Sequence, residues 1–176
     1  MHEAIPDFYF FRAADITPEF IKKNGIQAVG IDLDNTIVFD MTATPLPGAR
    51  EWIESLKAAG IPAVIITNAQ TLRSRIAGKK FGLKSFSLAK KPKTKKILVG
   101  AEYLNCPIEK FALIGDQLFY DVAGANRAGA VSIKVDPSAP EILFAGKFRR
   151  RREKERLFIE DHADTFPKMR GPNDEY

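Results

Sequence analysis

The chain has 176 residues, of which 45% are hydrophobic and 28% are charged. This size and balance indicate one globular domain with a sizeable core and exclude a disordered chain. Because Cys106 is the only cysteine, an intrachain disulfide is excluded, and no apolar run reaches the roughly 18 residues of a membrane span. We therefore expect a cytoplasmic protein without a transmembrane segment.

The formal net charge of +5 is matched by one short segment, residues 147–156, which carries seven basic and two acidic side chains. The remainder of the chain is formally neutral. Such a segment either attracts an anionic partner or forms a solvated helix face. Zinc-ligand spacing, RNA-binding aromatic signatures and helix-turn-helix patterns are missing, so we expect no nucleic-acid partner.

The first predicted element is a short helix within an N-terminal segment, residues 1–25. Thr17 is a suitable N-cap residue, Pro18 follows in the first turn, and Gly25 stands where the helix would end. The helix leads directly into the first apolar run.

Apolar, β-rich runs alternate with segments of helical spacing through residues 26–140. This alternation predicts an α/β domain with a doubly wound parallel sheet, covered by helices on both faces. A basic helical segment, 141–160, and a polar, poorly packed tail, 161–176, are expected to follow. The predicted strands are residues 27–31, 62–67, 85–89, 111–115 and 130–135.

Polar side chains follow four of these strands. In an open parallel sheet the ligand crevice lies beyond the carboxyl ends of the strands, so these side chains are expected to converge there. They comprise three carboxylates close to strand ends, a further carboxylate, a hydroxyl, two amides and two cations: Asp32, Asp34, Asp116, Asp121, Thr67, Asn68, Gln117, Lys90 and Lys91.

Carboxylates at the mouth of buried strands repel one another, and a divalent cation removes that cost. Asp32 and Asp116 supply the hard oxygen ligands that Mg²⁺ prefers alongside substrate phosphate. An aspartate in this position can attack phosphorus to give an aspartyl phosphate, while Asp34 protonates the leaving alcohol and later activates water. Thr67, Asn68 and a lysine can hold the transferring oxygens.

The four patterns DLDNT (32–36), ITN (66–68), Lys91-Pro92 and GDQLFYD (115–121) resemble the ordered motifs of the haloacid dehalogenase-like superfamily. The resemblance implies that Asp32 is the nucleophile and Asp34 the acid/base. It also implies Mg²⁺ held by the Asp32 carboxylate, the Asp34 main-chain carbonyl and Asp116.

The sequence leaves two questions open, namely which lysine faces the phosphate and what role Asp121 has. Either Lys90 or Lys91 faces the phosphate, and Lys91 is favoured because it directly precedes Pro92. Asp121 either orients groups at the metal or caps the helix that begins at that point. Gln117 is a further secondary candidate.

The segments between the motifs leave no room for a cap domain, which implies an open site. DITPEFIKKNGI, the GDQLxxDVxGANRxG run from Gly115 to Gly129 and the basic segment resemble the capless subfamily IIIA, in the bacterial group similar to mitochondrial phosphatidylglycerophosphate phosphatase. This resemblance implies an enzyme of phospholipid biosynthesis acting on an anionic headgroup, peripherally on the inner face of the membrane.

Two segments could reach that surface, each with a plainer alternative. The aromatic run 8–11 could enter the interface or pack in the core, and residues 143–159 could bind lipid or remain solvated. A phosphatase of a soluble nucleotide or sugar phosphate is the alternative function. A non-catalytic membrane- or nucleic-acid-binding adaptor is the alternative of another class.

Overall fold

Seven strands form one parallel sheet in the computed structural model of the chain, which describes residues 2–137, 145–171 and 174. Their order across the sheet is β4-β3-β2-β5-β6-β1-β7. The predicted doubly wound α/β fold is confirmed. The strands are β1 (Phe8–Phe10), β2 (Ala28–Ile31), β3 (Ala63–Ile66), β4 (Lys84–Phe86), β5 (Phe111–Gly115), β6 (Val131–Val135) and β7 (Met169–Arg170).

The helices lie between consecutive strands, and the first begins after Thr17 as predicted. Thr17 Oγ1 accepts the Phe20 N–H at 3.1 Å and caps the first helix, and Gly82, at φ +62°, ends the third in the left-handed conformation. The helices are α1 (Pro18–Lys23), α2 (Ala49–Ala58), α3 (Thr71–Phe81), α4 (Lys95–Tyr103), α5 (Ala123–Ala128) and α6 (Ala145–Asp161).

Alternating side chains of the strands fill a core on each face of the sheet. Val29 and Ile31 of β2 pack on the side of α1 and α2, whereas Ala28 packs with Ile97 of α4 on the other side. Trp52 of α2 is buried, and its indole Nε1 donates to Ile16 O at 2.8 Å. Both faces are therefore covered, as continuous apolar strands require.

Three residues of the aromatic run, Phe8–Phe10, form β1 between β6 and β7, whereas Phe11 follows the strand and is 52% exposed. Phe10 is fully buried, and the rings of Phe8 and Phe10 lie 4.9 and 4.8 Å from the Phe20 ring. The core interpretation of these two residues is therefore confirmed.

The C-terminal part differs from the expected poorly packed tail, because Met169 and Arg170 pair in parallel with Tyr9 and Phe10. The Arg170 guanidinium also lies over the Phe8 ring at 5.6 Å, so a cation–π contact accompanies the strand pairing. Residues 145–160 of the predicted basic segment belong to α6. Residues 138–144, which include the start of that segment, lie outside the described residues. Among the described helices, each is too short or too polar to cross a bilayer.

Candidate active site

The carboxyl ends of β2 and β5 define the centre of the site. β2 lies between β3 and β5: the chain runs outwards from β2 to β3 and β4 and then returns to β5 on the other side of β2, which opens a crevice at this point. Asp32 directly follows β2, and its N–H donates to Ile114 O at 2.9 Å, which extends the ladder by one residue. Asp32 is only 4% exposed, so its carboxylate depends on protein partners.

Lys91 supplies the main cation beside Asp32. Its Nζ lies 2.6 Å from Asp32 Oδ1, 2.5 Å from Asp121 Oδ1 and 2.8 Å from Ile66 O. Burial lowers the pKa of Lys91, but the Asp121 and Asp32 carboxylates outweigh it, and the pKa rises above its ordinary value. Lys90 is exposed, so the structure places Lys91, the favoured candidate, at the carboxylates.

Asn68 and Thr67 accept hydrogen bonds from backbone N–H groups near Lys91. Asn68 Oδ1 accepts the Lys91 N–H at 2.8 Å, which ties the loop after β3 to the loop after β4. Thr67 is buried, and its Oγ1 accepts the Ala69 N–H at 3.1 Å. Both residues therefore lie at the end of β3, the strand that neighbours β2 in the sheet.

Asp116 and Asp121 complete a buried acidic triad with Asp32. One carboxylate oxygen of each lies within 4.8 Å of the others. Asp121 belongs to a π-helical turn, Leu118–Val122, and its Oδ2 accepts the Gln117 N–H at 3.0 Å. It does not cap α5, so the capping alternative for Asp121 is wrong.

Gly115 makes the position of Asp121 possible. A Cβ at residue 115 would lie 2.3 Å from Asp121 Cγ, closer than any non-bonded contact allows. The glycine that precedes Asp116 therefore lets the Asp121 carboxylate lie against the end of β5.

The triad fits a divalent cation. Burial raises the pKa of Asp32 well above its ordinary value, Lys91 opposes the rise, and Asp121, Asp116 and Asp34 add to it. Asp116 is fully buried, and its Oδ1 has no hydrogen-bond partner among the described residues. Unpaired buried carboxylate oxygen and excess negative charge are what a hard cation such as Mg²⁺ would satisfy.

Asp34 points towards the cleft and is paired with an arginine that sequence reasoning missed. Arg73 of α3 contacts both Asp34 oxygens, at 2.5 and 2.7 Å, and donates to Thr42 O at 3.1 Å. Thr42 belongs to a flap, residues 37–46, closed by the pairs Phe39 N–H to Thr44 O and Leu46 N–H to Ile37 O. The one sequence signal for Arg73 is its position in the first turn of α3, shortly after Asn68.

Arg152 of α6 is the second missed residue. Its Nη2 contacts Asp116 Oδ2, and its Nη1 donates to Asp116 O at 3.2 Å and to Glu155 Oε2 at 2.8 Å. Glu155 is buried and accepts the Leu118 N–H at 2.8 Å, which anchors α6 to the turn after Asp116. The basic segment therefore contacts the site directly.

The site opens into a cleft of about 860 Å³. The flap and α3 form one wall, and Gln117, Tyr120 and Arg151 lie on the other. Between β2 and α2 the flap is the only covering element described, which agrees with the capless expectation.

Fold and site together define a hydrolase that carries a buried carboxylate at the central strand and a lysine beside it. A family model of haloacid dehalogenase-like hydrolases matches residues 10–129. The chain belongs to this family, and it is an enzyme of the hydrolase class, as the motifs predicted.

Individual relatives agree with this assignment. The chain is 32% identical over 150 residues to the Bacillus subtilis protein named "Probable phosphatase YqeG", covering 85% of this chain and 87% of that protein. A HAD family hydrolase from Deinococcus radiodurans, solved with bound phosphate and sodium, superposes with a TM-score of 0.55 at 18% identity, covering 77% of this chain and 96% of that one. A predicted phosphoglycolate phosphatase from Haemophilus somnus superposes with a TM-score of 0.52 at 14% identity, covering 62% of this chain and 85% of that one. The two solved structures support the fold.

Proposed function

We propose that this protein is a Mg²⁺-dependent phosphomonoesterase that works through an aspartyl phosphate on Asp32, and that its substrate is phosphatidylglycerophosphate. The observation that carries the proposal is the position of the Asp32 carboxylate, 2.6 Å from Lys91 and grouped with Asp116, whose Oδ1 lacks a partner among the described residues. The phosphatase name of the relative from Bacillus subtilis supports the same reaction class.

In the first step an oxygen of Asp32 forms a bond to phosphorus as the bond to the leaving alcohol oxygen breaks. Asp34, at the mouth of the cleft, donates a proton to that oxygen. Lys91 offsets the repulsion between the Asp32 carboxylate and the incoming phosphate. Mg²⁺ held by Asp32 and Asp116, with the Asp34 main-chain carbonyl, would neutralise charge on the phosphoryl oxygens.

In the second step water attacks phosphorus, Asp34 accepts a proton from it, and the bond between phosphorus and Asp32 breaks to release phosphate. We assign to Thr67 and the Asn68 amide the binding of the transferring oxygens. Arg73 contacts both Asp34 oxygens, so it fixes the orientation of the carboxylate that carries out these proton transfers.

The lipid substrate is the finer part of the proposal. The sequence resemblance to the phosphatidylglycerophosphate phosphatase group supports it, and so does the open cleft, since a headgroup held in a bilayer cannot enter a site closed by a cap domain. A cytoplasmic enzyme working on the inner face of the membrane is consistent with this substrate.

A substrate panel tests both parts. Phosphate release is measured from phosphatidylglycerophosphate in mixed micelles, from nucleotides and from sugar phosphates, with Mg²⁺ and with a chelator. We expect Mg²⁺-dependent release that is greatest from the lipid and is lost in Asp32→Asn. Activity confined to soluble esters would reject the lipid substrate, and a biological effect retained by Asp32→Asn would favour an adaptor over an enzyme.

A further inference from the structure

The largest local charge excess in the chain lies in residues 71–96, which contain ten basic and no acidic side chains. The whole chain has a net charge of +5, so this stretch exceeds the total, and its local excess is twice that of residues 147–156. It spans α3, β4, the loop that follows and the first two residues of α4. The rest of the chain has a net charge of −5. Within the stretch, α3 packs on the same face of the sheet as α2, whereas α4 packs on the opposite face, so only the cations of α3 share a face with the flap side of the cleft.

Most of these basic side chains form no ion pair with an acidic side chain of the described residues. Arg73 and Lys91 pair with carboxylates of the site, whereas the other eight form no ion pair within the part of the chain that the structure describes. On α3, Arg75, Lys79 and Lys80 are all exposed. Arg75 and Lys79 are thus available to an external anionic partner, whereas Lys80 donates to Ala43 O of the flap at 2.9 Å.

The same helix exposes large aliphatic side chains. Leu72 is 71% exposed and Ile76 is 42% exposed, and their spacing of four residues places them next to each other on the helix surface. Met41, at 45% exposure on the flap, lines the cleft with them. Leu88 is also exposed, and its N–H donates to Ala69 O beside the start of α3.

Helix α6 differs from α3, because it carries four acidic side chains beside its seven basic ones and several of its cations form contacts within the protein. Arg152 contacts Asp116 and Glu155, Arg156 contacts Glu153 and Glu160, and Lys154 lies 4.7 Å over the Phe119 ring. These cations are engaged within the protein.

We propose that the outward face of α3, with the flap tip and Leu88, docks on an anionic lipid bilayer and presents the cleft to a headgroup. This inference rests on the proposed lipid substrate for its purpose. Basic side chains attract anionic headgroups, and aliphatic side chains enter the boundary between headgroups and acyl chains. A bilayer fits this face better than RNA, since single-stranded nucleic acid gains chiefly from aromatic stacking, and the exposed apolar side chains here are aliphatic.

Vesicle co-sedimentation tests the proposal with the full chain. The vesicles contain phosphatidylcholine alone or mixed with phosphatidylglycerol, neither of which is the proposed substrate. Arg75→Glu/Lys79→Glu reverses two charges on α3, and Arg149→Glu/Arg150→Glu makes the same change at exposed positions of α6. We expect the α3 variant to bind the mixed vesicles at least about tenfold more weakly than the wild type and the α6 variant less than about threefold more weakly.

A second pair of variants tests the aliphatic contribution. Leu72→Ser should weaken vesicle binding several-fold, whereas Leu157→Ser, at a 50% exposed position of α6, should not. Melting temperatures check that all four variants are folded. Hydrolysis of a soluble phosphate ester by Arg75→Glu/Lys79→Glu should equal that of the wild type, because neither residue belongs to the site.

Equal losses in the two charge-reversal variants, or no loss in the α3 variant, would overturn the docking face. Tighter binding to single-stranded RNA than to the mixed vesicles, abolished by the same α3 changes, would also overturn it in favour of a nucleic-acid surface. A wrong substrate assignment would give a different result. The protein would then bind vesicles through α3 but release no phosphate from phosphatidylglycerophosphate.

Discussion

Arg73 and Asp34 form a two-point ion pair at the mouth of the cleft, with Nη1 2.5 Å from Oδ1 and Nη2 2.7 Å from Oδ2. The same guanidinium donates to Thr42 O, and the Met41 N–H donates to Asp34 Oδ1 at 3.1 Å. The flap and α3 are thus joined through the carboxylate proposed as the acid/base. Arg73 is a positioning residue for Asp34.

Arg73→Gln should lower kcat/KM for a soluble ester by about 10- to 100-fold, chiefly through kcat, because Asp34 loses its fixed orientation. Arg73→Lys should recover part of the loss, since a single ammonium replaces the charge but not the two-point contact. Arg75→Gln, at an exposed position of the same helix, is the control. Equal rates in Arg73→Gln and Arg75→Gln would show that the ion pair does not position Asp34.

Arg152→Gln should bind Mg²⁺ more tightly than the wild type, by about tenfold or about 1.4 kcal/mol. The Arg152 guanidinium contacts Asp116 Oδ2 and so competes with a cation for that carboxylate. Isothermal titration calorimetry measures the affinity directly, and Arg149→Gln serves as a control on the exposed part of α6. Weaker Mg²⁺ binding by Arg152→Gln would mean that Arg152 supports the metal site.

The stability of the metal-free protein should depend on pH through the buried triad. Burial raises the pKa of Asp32 and Asp121, and Lys91 opposes both shifts. The folded chain then holds protons that the unfolded chain releases, so these groups make the free energy of unfolding fall as pH rises from about 4 through the raised values. Calorimetric melting should show Asp32→Asn gaining stability relative to the wild type between about pH 5 and pH 7.

Mg²⁺ should remove much of that difference at pH 7 by compensating the ionised carboxylates in the wild type. Asp164→Asn, at an exposed position, provides the control for a lost carboxylate and should show no such trend. A wild type that gains as much stability as Asp32→Asn over this pH interval would contradict the raised pKa of Asp32 and Asp121.

Gly115→Ala should destabilise the protein by about 1–3 kcal/mol, because the new Cβ would overlap Asp121. Displacement of Asp121 should also release Lys91 from one of its carboxylates and lower kcat. Ala112→Gly, in the same strand, is a control that weakens β5 without crowding the site. Thermal melting and steady-state rates separate the two effects, and a fully active, stable Gly115→Ala would contradict the close-approach argument.

The central strands and the motif residues could be predicted because their signal is local. Apolar runs of four or five residues mark β2, β3 and β5. Parallel pairing of these strands brings Asp32, Thr67 and Asp116 to one edge of the sheet, independently of the conformation of the loops. Lys91 could be placed because the loop after β4 reaches the same edge.

The remaining features depend on contacts distant in sequence. Arg73 lies 39 positions from Asp34, and Arg152 lies 36 from Asp116, so no spacing in the sequence indicates either pair. β7 has two residues and β1 has three, which is too few to show alternation, and β1 packs on α1 through the contacts of Phe8 and Phe10 with the Phe20 ring. Net charge over long segments also concealed the excess in residues 71–96, because acidic residues elsewhere cancel it.

The most direct test of the account is to identify the residue that carries the phosphoryl group. The enzyme is mixed with Mg²⁺ and a phosphate ester, quenched in acid within a turnover and reduced with borohydride, which converts an aspartyl phosphate to homoserine. We predict homoserine at position 32 in peptide mass spectra, and none in Asp32→Asn. A phosphoenzyme at another residue, or turnover without any phosphoenzyme, would contradict Asp32 as the nucleophile.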